Sequence, residues 1–126
     1  MSRLAIVAIL ASLVACTSPQ QEAAWRADAQ RPMTCAGADD CSVKWSRALE
    51  WVTDNSQFRL QIANDSLIQS AGPGDEDPAS AFIVTKRSLG DGKYQIVFRS
   101  GCSNMIGCVP SGLALQASFN DYVLGP

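Results

Sequence analysis

Thiols are the chemically versatile group that this chain carries in quantity: five cysteines stand beside no histidine at all. Without imidazole, the usual general base, proton shuttle and nitrogen metal ligand are missing from any mechanism contained in this chain. Cys35, Cys41, Cys102 and Cys108 fall in two segments of the same spacing, CAGADDC and CSNMIGC. Zinc sites usually set paired cysteines two to four residues apart, so this spacing disfavours a metal centre. No Cys-x-x-Cys redox motif is present. An even set of thiols then reads as two disulfides, formed in an oxidising compartment. Three connectivities are open. Local pairing, Cys35 with Cys41 and Cys102 with Cys108, is favoured because Gly37, Gly101 and Gly107 suit short closed loops. A crossed pairing would instead staple the two ends of the domain together.

Other chemistry is sparse. There is no Gly-x-Ser-x-Gly elbow, no Ser three residues before a Lys, and no glycine loop leading from a strand into a helix to cradle phosphate. The run Asp75-Glu76-Asp77 lacks the spaced ligands of a calcium loop and reads as a solvated acidic turn. Asp121 and Glu50 fall on two expected helices, and nothing in the sequence places them side by side. We therefore assign no catalytic residue, metal or cofactor, and expect a non-enzyme. Lys and Arg number 10 against 12 Asp and Glu, which argues against nucleic acid as a partner.

The start of the chain has its own pattern. Arg3 precedes an apolar run from Leu4 to Ala15 broken only by Ser12, too short for the roughly 20 residues of a spanning helix but suited to a signal-peptide core. Setting the first 15 residues aside lowers the apolar fraction from 47% of the chain to about 42%, ordinary for a soluble domain. The run ends in Leu13-Val14-Ala15-Cys16, and here the chain resembles the bacterial lipoproteins cleaved by signal peptidase II. The resemblance covers the leader alone. It implies removal of residues 1–15 and acylation of Cys16, whose lipid chains anchor the rest to a bilayer. Thr17 stands where an Asp often marks inner-membrane retention, which implies outer-membrane sorting, facing the periplasm. Loss of Arg3 leaves the remainder more acidic than the full chain's net −2, so charge would not hold it to an anionic surface.

Residues 17–34, rich in Gln, Ala and Pro, read with Cys16 as a flexible tether reaching about 60 Å when extended. A short helix over Glu22 to Gln30 would be marginal alone. A single domain is expected over 35–126. Asp39 and Asp40 suit a helix start, and Cys41, Trp45, Ala48, Leu49 and Val52 then keep one helical face, with Trp51 at its margin. Phe58 to about Ser70 reads as one long strand in preference to a hairpin about Asn64-Asp65-Ser66. Ala81–Arg87 and Tyr94–Arg99 flank the turn Gly90-Asp91-Gly92, with Phe82, Val84, Tyr94, Ile96 and Phe98 on a common face. The segment 113–123 fits either period, and Pro110-Ser111 before it with Gly125-Pro126 after it favours a helix.

The expected fold is α+β, in the order α-β-β-β-α: an antiparallel sheet of three strands, or four if the first is a hairpin, with two helices on one face and two disulfides. The expected function is a lipid-anchored, non-enzymatic envelope module that binds another envelope protein or supports an assembly, with Trp25 and Trp51 as candidate contacts. A small apolar or glycan ligand held between sheet and helices is the alternative.

Overall fold

In the computed structural model, residues 17–126 are described; the expected leader and Cys16 lie outside them. The elements in chain order are α1 (Pro19–Ala29), β1 (Thr34–Ala36), α2 (Ala38–Asn55), β2 (Leu60–Ala63), β3 (Leu67–Ser70), β4 (Ala81–Gly90), β5 (Lys93–Gly101) and α3 (Gly112–Leu124). The fold is α+β, as expected, and its sheet is wholly antiparallel in the order β1-β5-β4-β3-β2.

Two expectations need correction, each for a local reason. Five strands form in place of three or four. The stretch 58–70 is a hairpin because the Asn64 carboxamide oxygen accepts the backbone N–H of Ser66 at 3.0 Å and of Leu67 at 2.9 Å. That side chain closes the turn which the unbroken apolar phase argued against. The fifth strand is β1, whose Cys35 pairs with Tyr94.

Nor is 17–34 a free tether. Ser18 accepts the N–H of Gln21 at 3.1 Å, Pro19 opens the first turn of α1, and Glu22 pairs with Arg26 one turn on. Such a helix is marginal alone, and packing along α3 supplies the rest. At its far end the fully buried Asn120 of α3 donates to the carbonyls of Asp28 at 2.9 Å and Ala29 at 3.2 Å. These carbonyls belong to the last turn of α1, where Asp28 also accepts the Arg31 N–H at 3.2 Å, so one amide both satisfies itself and fastens α1.

The core lies between one sheet face and the pair α2 and α3. Trp51 is at its centre, 5.1 Å from the Phe82 ring and edge-on to Phe98 and Phe119 at 5.3 and 5.4 Å. Phe98 and Phe119 stack at 4.4 Å. Such offset and edge-to-face pairs add to area burial. The turn between β4 and β5 places Gly90, Asp91 and Gly92 all at positive φ, the backbone that a tight hairpin requires.

Candidate functional site

The structure pairs the cysteines locally. Cys35–Cys41 and Cys102–Cys108 have Cα separations of 5.0 and 5.7 Å, ordinary for disulfides. The first ties β1 to the opening of α2 and is buried, with Cys35 and Cys41 at 2% and 5% exposure. Helix α2 begins one turn earlier than its acidic pair suggested. Its N-cap is Gly37, which has no side chain to offer, so Asp40 reaches back and accepts the Ala36 N–H at 2.9 Å. That bond, and Lys44 at 3.2 Å, hold the Asp40 carboxyl below the usual carboxylate value.

The second disulfide closes a loop at the opposite end of the sheet. Loop 102–109 is hydrogen-bonded to loop 72–79: Ser103 donates to the Gly74 carbonyl, Asn104 Nδ2 to Glu76 O at 2.8 Å, and Val109 N–H to Pro78 O at 3.0 Å. Asn104 Oδ1 also accepts the Ile106 N–H at 2.9 Å. The backbone is thus held while the side chains at its tip are bare: Met105, Ile106 and Val109 are 104%, 99% and 71% exposed. Sequence reasoning overlooked this tip. The signal was present as Met-Ile enclosed between the two half-cystines.

Of the expected contact tryptophans, neither stands free. Trp51, read as marginal to its helix face, is 3% exposed and donates Nε1–H to Ser118 at 3.1 Å. A core of four aromatics needed its width, and α3 supplied a partner for its polar edge. Trp25 is half-buried on α1. Asp121 faces Arg31 at 3.6 Å, whereas Glu50 meets the Tyr122 hydroxyl and, with desolvation, raises its pKa. The two carboxylates are therefore engaged separately.

Two other surfaces are built by the sheet. On the face away from the helices, Leu67, Thr85 and Val97 form one row and Gln69, Ile83 and Arg99 the next. No helix of the described residues covers them, and five of the six are half-buried, with Arg99 exposed. A shallow cleft of about 400 Å³ opens here, floored by Ala81 and Ile83 and walled by Gly72, Pro73 and Cys102. Gly72 has φ +88°, and a Cβ there would meet the Phe58 ring at 2.7 Å, so glycine is required for this wall.

On the helix side, a recess of about 540 Å³ lies between α2 and the sheet beside Trp45, Asp65, Lys86 and Tyr94. The Lys86 ammonium sits 5.0 Å from the Trp45 ring and 5.6 Å from that of Tyr94, so both aromatic faces already have a cation. Among the described residues, no three His, Cys, Asp or Glu gather as for a metal ion, and no helix is long and apolar enough to cross a membrane. The chain matches no family model, no curated protein and no solved structure.

Proposed function

We propose that this chain is an exported protein anchored by lipid on Cys16, and that its folded head is a non-enzymatic module that binds another protein of the cell envelope. The uncovered sheet face carries the reading. Apolar side chains at the middle of a sheet are normally covered, and here no helix of the described residues lies over Leu67, Ile83 and Val97. Arg87 and Arg99 flank them, and no acidic residue occupies the outward positions of β3, β4 and β5. The partner that fits presents apolar and acidic side chains. Two disulfides support export to an oxidising compartment.

Cross-linking in intact membranes tests this. One stoichiometric protein partner is expected with the unaltered chain and none with Thr85→Glu, which puts a carboxylate in the middle of the face without touching the core. Retention of the partner by Thr85→Glu refutes the assignment of the face. Cys16→Ser is expected to abolish palmitate labelling and membrane fractionation, and continued membrane retention refutes the anchor.

A second reading, a small glycan held between sheet and helices, draws on the recess at Trp45 and Tyr94. Any such ligand must first displace Lys86 from both rings. Lys86→Ala would then strengthen glycan binding, whereas an unchanged absence of binding leaves the protein-binding head.

A further inference from the structure

The start of α1 and the bare loop tip lie at the same end of the molecule. Helix α1 makes the most extensive helix–helix contact of the structure with α3, and its last turn is fastened at Asn120. Helix α3 ends one turn past Asn120. The contact therefore runs beside the part of α3 that precedes Asn120. At 1.5 Å per residue, Pro19 is about 14 Å back from Asp28, and Gly112 about 12 Å back from Asn120. Pro19 is thus level with the first turn of α3, directly after Val109 and Pro110. Only Thr17 and Ser18 separate Pro19 from Cys16, a reach of about 10 Å.

From this placement we infer that Met105, Ile106 and Val109 form a second membrane contact, entering the headgroup boundary of the same bilayer that holds the Cys16 lipid. This rests on the anchored reading proposed above. Met105 and Ile106 lie within a ring closed by a disulfide and Val109 is bonded to Pro78 just beyond it, so their backbone loses little freedom on insertion. Asp75, Glu76 and Asp77 belong to that neighbouring loop and bring negative charge beside the tip. The contact is therefore apolar, and it weakens as the anionic lipid fraction rises. The head is held low and in one orientation, with the Gly90–Gly92 turn pointing away from the membrane.

The test uses the full acylated chain in vesicles of phosphatidylethanolamine and phosphatidylglycerol, with a photoreactive benzoylphenylalanine in place of Ile106 or of Leu89. Leu89 is also exposed, at 56%, and stands at the far end of β4. Lipid adducts are expected at position 106 and not at 89, decreasing as phosphatidylglycerol is increased. Flotation with the vesicles but no lipid adduct at 106 overturns the docked tip while leaving the anchor intact. Equal adducts at 106 and 89 overturn the orientation. An unacylated Cys16 with loss of flotation overturns the anchor and the docking together. Native membranes that yield a protein adduct at 106 in place of lipid assign the tip to a partner and also overturn the inference.

Discussion

The two Cys-x5-Cys loops have the same length and the same covalent closure, yet one faces inward and the other outward. Cys35–Cys41 is sealed beneath the junction of β1 and α2, where Tyr94 pairs with Cys35 across the sheet. Cys102–Cys108 is half-exposed and holds up Met105 and Ile106. Loop entropy depends on the number of residues enclosed and is equal for the two. What differs is the chain that each ring encloses. Ala38 to Cys41 already form the first turn of α2, whereas residues 103–107 form a loop hydrogen-bonded to loop 72–79. Equal spacing therefore predicts equal closure and says nothing about role.

The largest expected effect separates those two contributions. Replacing Cys35 and Cys41 together by Ala removes about 2–3 kcal/mol of loop constraint. Loss of buried sulfur packing raises the total to about 3–5 kcal/mol, read from the urea midpoint at constant slope. The matching double change at Cys102 and Cys108 is expected to cost the loop constraint alone, about 2–3 kcal/mol. Amide exchange should then quicken at Asn104 to Gly107 while the core stays protected. Equal losses for the two pairs would break the comparison.

Asn120→Ala asks how far the second loop's end of the molecule depends on α1. The Ala29 carbonyl loses its donor and that of Asp28 keeps only the Arg31 N–H, for a cost of about 1–2 kcal/mol, and protease sensitivity should appear first within Pro19–Ala29. Cleavage confined elsewhere would deny the clasp.

The smallest effect belongs to Asp40, at the mouth of the first loop. Its folded pKa is lowered from 3.8, chiefly by the Ala36 N–H and then by Lys44, so the ionised form favours the fold. That contribution is fully present above the unfolded value and is lost as pH falls through the lower folded one. Asp40→Asn should accordingly differ from the parent at pH 6 and converge with it in strong acid, as followed by thermal melts across that range.

Much of the fold could be read from local sequence. The face of α2, the β4–β5 hairpin and the α3 helix all follow from apolar spacing and the residues that bound them. The local disulfides followed from loop glycines. Features fixed by a single polar side chain were not legible. Asn64 turned a long strand into a hairpin, and Asn120 turned an unpatterned Gln- and Ala-rich segment into a docked helix. Trp51 looked marginal because helical angle describes one element, while its burial was decided by α3. The open sheet face was foreseeable from two helices covering one side. The bare tip had a signal in Met105-Ile106 enclosed between Cys102 and Cys108, but the same apolar pair would also suit a core.

Asn120 has a consequence for how encounters happen. With the Cys16 anchor proposed above, a slack segment over 17–34 would let the head range far from the bilayer. Folding Pro19–Ala29 into a docked helix removes the vertical search. The protein would then meet what it binds by drifting sideways in the plane of its own leaflet, a dimensionality set by one carboxamide.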